Sequence, residues 1–103
     1  MSESLTYAER LEAHRRLVIL RVLAETPGYA SNTSLLADVV ESFGVPGSRA
    51  QVNTAVAWLA EQGLVSTREI AGVCIAQLRD RGMDVAQGKA HVPGVKRPSP
   101  GGA

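Results

Sequence analysis

The polar residues with the clearest chemical meaning lie together, between Ser48 and Thr54. Ser48 and Gln51 are spaced as a capping box, in which each side chain bonds the backbone N–H of the other residue. Arg49 and Asn53 carry the paired donors and the amide that bind base edges of DNA, and Thr54 lies one turn further on. We name Ser48, Arg49, Gln51, Asn53 and Thr54 as candidate DNA-binding residues. The alternative roles are helix capping for Ser48 and Gln51 and a solvated charge for Arg49.

The sequence offers little for catalysis or metal binding. His14 and His91 lie far apart, and Cys74 alternates with the apolar residues Ala76 and Leu78, which is typical of a buried thiol. The sequence contains no paired His-Glu motif and no glycine-rich phosphate loop. One cysteine and two scattered histidines do not form the usual metal-ligand cluster. We therefore expect no enzyme activity, catalytic residue, metal, other cofactor or small-molecule ligand.

Charge is distributed unevenly along the chain, although the net charge is only +1. Residues 1–62 carry five basic and seven acidic side chains, whereas residues 63–103 carry six basic and three acidic side chains. A surface that neutralises phosphates would therefore use the second part of the chain. Arg68 is the candidate phosphate contact there, and scattered solubilising charge is the alternative. The other basic residues of this part are Arg79, Arg81, Lys89, Lys96 and Arg97.

Trp58 is the only tryptophan of the chain and lies on the flank of the third predicted helix. It can cover the first helix or the hairpin, or it can anchor a protein partner, because interfaces favour tryptophan. We name Trp58 as the candidate partner-binding residue, with packing inside the chain as the alternative.

The first predicted helix extends over about residues 5–25 and is ended by Pro27. Its predicted core stripe consists of Leu11, Val18 and Val22, flanked by Ile19 and Leu23 and widened by Leu17, Leu20 and Ala24. The apolar band is wide enough to bury more than one face. The helix therefore either lies centrally in the monomer or meets a second copy of the chain.

Two more helices are predicted before the strand-like segments. One covers about residues 33–43, is capped by Ser31 or Asn32, and ends at Gly44. Its predicted core residues are Leu35, Leu36, Val39, Val40 and Phe43. The other is the capped helix over residues 48–62.

Residues 64–70 and 73–78 contain β-branched side chains and are separated by Ala71-Gly72, which predicts a hairpin. A short helix over about residues 80–88 follows. Three helices, a two-stranded wing and a short helix are the order of a winged helix-turn-helix, a mainly α fold whose third helix reads the major groove. We assign residues 1–90 to this domain. Residues 91–103 lack apolar periodicity and are predicted to form a flexible, basic tail rich in proline and glycine.

Several stretches resemble a family of small proteins from Mu-like phages and prophages: RLVILRVLAETPGY (16–29), AWLAEQGLV (57–65), RGMDVAQG (81–88) and VPGVKRP (92–98). The family is similar to winged-helix proteins of the arsenic-repressor type. The resemblance implies a phage-encoded cytoplasmic protein that dimerises through the first helix. Metal-sensing repressors of that type use cysteines near the recognition helix, and this sequence has none there, so metal sensing is not expected.

The leading hypothesis is a DNA-binding protein, a transcriptional regulator or accessory DNA binder of a phage or prophage, with double-stranded DNA as its partner. The alternative is a non-catalytic protein-interaction module that uses the fold without DNA. It would be a phage assembly or packaging component, or an inhibitor of a host protein. The sequence shows no signal peptide and no membrane-spanning run, so we expect a cytoplasmic location in the bacterial host cell.

Overall fold

The computed structural model describes residues 4–99. Its elements, in chain order, are α1 (Tyr7–Glu25), a 3₁₀ turn (Pro27–Tyr29), β1 (Ala30–Asn32), α2 (Thr33–Ser42), α3 (Arg49–Glu61), β2 (Val65–Ile70), β3 (Val73–Leu78) and α4 (Asp80–Ala86). The predicted order of three helices, a hairpin wing and a short helix is confirmed. No helix among these residues is long and apolar enough to cross a membrane.

The sheet is antiparallel, with the strand order β1-β3-β2. Ala71 and Gly72 form a two-residue turn between β2 and β3, and both have positive φ, 52° and 79°. Such a turn matches the twist of a tight hairpin. The third strand, β1, was not predicted. Its residues Ala-Ser-Asn have no β-branched or aromatic side chain, so only their position beside β3 makes them a strand.

The predicted core stripe of α1 is correct for Ile19, Leu23 and the widening residues Leu17 and Leu20, but wrong at its centre. The buried residues of α1 are Arg15, Leu17, Ile19, Leu20 and Leu23. Leu11, Val18 and Val22 lie at the edge of the core and are only partly buried. The middle of this helix is apolar almost all round, so periodicity alone does not identify the face that packs inward.

The second helix has the predicted position, and Asn32 is its cap: the Asn32 Oδ1 accepts a hydrogen bond from the Leu35 N–H at 2.7 Å. Its predicted core is only partly correct. Leu36 and Val40 are fully buried, whereas Leu35 and Phe43 are 53% and 65% exposed. The core contacts one narrow side of this helix, which leaves the outer part of the apolar stripe in solvent.

The segment after α4 packs against the domain, in contrast to the expectation of a flexible tail from residue 91. Val92 and Val95 are buried, and the Lys96 N–H donates to the Ala13 carbonyl of α1 at 3.1 Å. Two valines three residues apart are enough to dock this segment, but they are too few to produce a periodic pattern. Residues 100–103 of the predicted tail lie outside the described residues.

Candidate nucleic-acid interface

The N-terminus of α3 is built by the predicted capping box. The Ser48 Oγ accepts from the Gln51 N–H at 3.1 Å, and the Gln51 Oε1 accepts from the Ser48 N–H at 2.8 Å. Both residues are exposed. Their side chains bond the backbone of the cap, which agrees with helix capping, the alternative role that we gave them. The cap still leaves backbone N–H groups of the first turn facing solvent, which suits an anion.

Arg49, Asn53 and Thr54 are exposed on α3, while the opposite side of the helix is buried. The buried residues are Val52, Ala55, Val56 and Leu59. At about 100° per residue, Arg49 and Asn53 share one flank and Thr54 lies on the other. The structure therefore leaves all three predicted residues exposed, but on the two edges of the outer face of α3 and not in one cluster.

Small and acidic residues lie between these polar side chains. Ala50 and Ala57 occupy the centre of the exposed face of α3, and Glu61 lies at its C-terminal end. Alanine has no hydrogen-bonding group, but its small side chain lets a helix approach a surface closely. The face therefore offers few base-reading groups, and the negative charge of Glu61 opposes phosphate at one end.

The wing separates its charges between its two faces. Arg68 is directly opposite Ile75 on β3, and Glu69 is opposite Cys74. Neighbouring residues of a strand point to opposite faces, so Glu69 does not share the face of Arg68. At the tip, Ile70 and Val73 form an exposed apolar pair. The positive charge of the wing thus lies along its length and not at its turn.

Trp58 packs inside the chain. The Arg16 Cζ lies 4.0 Å from the centre of the Trp58 ring, a cation–π contact between α1 and α3. Gly94 contacts the other part of the ring so closely that a Cβ there would lie 2.7 Å from the Trp58 Cζ2. This placement favours the intramolecular role, because two parts of the same chain already cover the indole.

Arg15 is a residue that the sequence analysis missed. Its side chain is only 1% exposed, forms an ion pair with Glu12 at 2.8 Å, and donates to the Pro46 carbonyl in the turn before α3. Gly47 also lies against its guanidinium group. Arg15 was assigned no role from the sequence; Gly47, directly before the helix cap, is the local signal of a close contact.

His14 lies on the outer side of α1, and its Nδ1 is 3.4 Å from the Lys96 Nζ. Burial lowers the pKa of His14, and the nearby charges of Lys96 and Arg21 lower it further. Cys74 is half-buried in β3. Within residues 4–99, no group of three His, Cys, Asp or Glu side chains is placed to hold a metal ion.

Two proteins of known sequence are clearly similar to this chain, although no family model matches it. The uncharacterised protein gp26 of Escherichia phage Mu is 46% identical over 90 residues, which cover 87% of this chain and 93% of gp26. An uncharacterised protein of Haemophilus influenzae is 36% identical over 78 residues, which cover 75% of this chain and 76% of that protein.

Solved structures share the fold. Sco5413, a MarR family transcriptional regulator from Streptomyces coelicolor, superposes with a TM-score of 0.61 at 23% identity, over 81% of this chain and 50% of that chain. A double mutant of Lactococcus lactis ZitR in its apo form superposes with a TM-score of 0.58 at 26% identity, over 79% of this chain and 57% of the ZitR chain. This chain therefore spans about half the length of these structures.

Proposed function

Since the chain belongs to the family of the phage Mu protein gp26, we propose that it is a DNA-binding winged-helix protein encoded by a phage or prophage. It acts as a transcriptional regulator or as an accessory DNA binder. The proposal involves no catalysis. The fold of the chain is like that of a transcriptional regulator, which supports this function. An arsenic-repressor-like role has no support beyond the sequence resemblance.

The observation that carries the proposal is the exposed face of α3. Arg49 and Asn53 on one flank and Thr54 on the other face solvent, on a helix whose N-terminus is capped and exposed. The amide and guanidinium groups suit base edges, and the backbone N–H groups suit a phosphate. Arg68 on β2 adds a cation that suits the phosphate backbone. Ser48 and Gln51 contribute by holding the first turn of α3 in place.

The proposed active form is a homodimer that meets through the outer side of α1, in the cytoplasm of the bacterial host. Tyr7 is 77% exposed on this side, and Val18 and Val22 are only partly buried. An apolar stripe that the core covers only in part suits a second copy. A two-fold dimer would present two copies of α3 to two half-sites of a duplex.

Fluorescence anisotropy with labelled random duplexes, titrated at several salt concentrations, tests the proposal. We expect salt-dependent binding, and Arg49→Ala should reduce the salt slope by about 1, since each phosphate contact releases about one counterion. Arg10→Ala, an exposed arginine of α1, is the matched control and should leave the slope closer to that of the wild type. Absence of salt-dependent binding to any duplex would refute DNA binding.

One observation favours the alternative of a protein-interaction module. Leu35 and Phe43 expose about half or more of their surface on one side of α2, and such apolar surface is typical of contacts with proteins. If this side holds a partner protein, a Leu35→Ser/Phe43→Ser double variant should lose that partner and keep its fold. Trp58 is a weaker candidate for this role, since Arg16 and Gly94 already cover its ring.

A further inference from the structure

Two consecutive arginines of α1 contact α3 near its two ends. Arg15 donates to the Pro46 carbonyl and lies against Gly47, one residue before the Ser48 cap. A Cβ at Gly47 would lie 2.8 Å from the Arg15 Nη2 and 2.9 Å from its Nε. The guanidinium group therefore fills the space beside this turn, and the position of the turn determines where α3 begins.

Arg16 contacts the other end of α3. Its guanidinium lies over the Trp58 ring, and its Nη1 donates to the Gly94 carbonyl at 3.0 Å. Trp58 is on the last turn of α3. The docked segment that contains Gly94 thus holds Arg16 on the indole from the outside.

The buried core that joins α1 and α3 is apolar. The buried residues of α3 are aliphatic, and they meet the aliphatic core residues of α1. Apolar burial is not directional, so such a surface tolerates small rotations and shifts of one helix on the other. Hydrogen bonds and a stacked guanidinium depend on distance and angle, and here one polar contact lies near each end of α3.

We propose that Arg15 and Arg16 are positioning residues that fix the orientation of α3 on α1, so that its exposed face meets duplex DNA at one defined angle. The inference rests on the proposed DNA binding for its purpose, but the orientation itself is a property of the free protein. The Glu12 side chain is 37% exposed, so solvent screens its ion pair with Arg15 and the pair adds little to stability. The almost fully buried Arg15 is thus better explained by the geometry it imposes than by the stability it adds.

The test compares Arg15→Met and Arg16→Met with Arg10→Met, which removes the same charge from an exposed site on the same helix. Residual dipolar couplings of the backbone amides in the free protein give the orientation of α3 relative to α1. We expect both test variants to reorient α3, or to broaden the amide signals of residues 47–51 and 58, while Arg10→Met matches the wild type. Thermal unfolding measured in parallel separates this effect from loss of the fold.

The second readout is affinity for a duplex that the wild type selects from a random library. Arg15→Met and Arg16→Met should weaken this binding about tenfold or more relative to Arg10→Met, because misplacing α3 loses at least one base contact. If the residual dipolar couplings of α3 are unchanged in both test variants, the proposal is overturned, whatever the measured affinity for the duplex. If the wild type binds no duplex, the proposed function fails, and the couplings still decide the role of the arginines.

If Arg15→Met does not fold, Arg15→Lys takes its place. It keeps a charge for Glu12 but lacks the planar group that donates to the Pro46 carbonyl and lies against Gly47. Reoriented α3 couplings in Arg15→Lys support the proposal, and couplings equal to those of the wild type contradict it for Arg15.

Discussion

Gly82 of α4 lies directly against the backbone carbonyl of Leu64, at the start of the wing, so that a Cβ at position 82 would overlap the Leu64 oxygen. The same carbonyl accepts a hydrogen bond from the Arg79 N–H at 3.0 Å. Neither backbone group can move aside easily. A glycine inside a short helix, which weakens that helix by itself, is therefore explained by the close approach of α4 to the wing.

We predict that Gly82→Ala destabilises the protein, even though alanine favours helices. The expected loss is about 1–3 kcal/mol in the free energy of unfolding, as for other overpacked sites. Urea unfolding followed by circular dichroism measures it. An equal or higher unfolding midpoint would show that α4 does not approach Leu64 as closely as the structure has it.

We predict that Trp58→Ala lowers the free energy of unfolding by about 1–3 kcal/mol, less than the 3–5 kcal/mol typical of a fully buried tryptophan. The loss arises because the indole packs on Arg16 and Gly94. Chemical denaturation gives the value. An unchanged stability would instead support the role of Trp58 as an exposed anchor for a partner.

Ala71 has φ 52° at the first position of the wing turn, a conformation that strains residues other than glycine, asparagine and aspartate. We predict that Ala71→Asn stabilises the protein by about 0.5–1 kcal/mol, measured as a higher urea midpoint. Gly72→Ala, at φ 79°, is the matched opposite change and should destabilise the protein. A destabilising Ala71→Asn would contradict the two-residue turn.

Local signals allowed most of the fold to be predicted. A helix cap depends on residues three apart, so Ser48 with Gln51 and Asn32 with the Leu35 N–H could be inferred without knowing the tertiary structure. Thr6 and Glu9 form the same capping box at the start of α1. This signal was present in the sequence and would have placed the first helix more accurately.

Individual contacts between distant residues could not be predicted, although the sequence indicated the first helix as one of the surfaces that Trp58 could cover. Arg16 meets Trp58 and Gly94, and Arg15 meets Pro46, only because α1, α3 and the segment after α4 pack together. Nothing in the pattern around an arginine indicates that its charge is buried. The sequence predicted those candidate residues that lie on α3 itself. It did not predict Arg15 and Arg16, which lie on another helix and contact α3 and the turn before it only in the folded chain.

The lowered pKa of His14 predicts a pH-dependent stability. The unfolded chain, with a histidine pKa of about 6.5, binds a proton more readily than the folded protein, in which burial, Lys96 and Arg21 oppose the charge. Stability should therefore rise with pH between the lowered folded pKa and about 6.5, and fall on acidification through this range. The wild type should lose more thermal stability than His14→Gln between about pH 7 and pH 5, with His91→Gln as the control. Equal losses in wild type and His14→Gln would contradict the placement of His14.

The last prediction separates the candidate DNA-binding residues by what they contact in the free protein. Ser48 forms the cap of α3 with Gln51, so Ser48→Ala should lower the free energy of unfolding by about 1 kcal/mol. Asn53 is exposed on the presented face, so Asn53→Ala should change stability by less than about 0.5 kcal/mol. On a selected duplex the order should reverse, because Asn53→Ala removes a base-reading amide while Ser48→Ala leaves that face intact. Thermal unfolding and anisotropy on the same two variants measure both quantities. If Ser48→Ala loses more affinity than Asn53→Ala, the N-terminus of α3 and not its exposed face is the main contact with DNA.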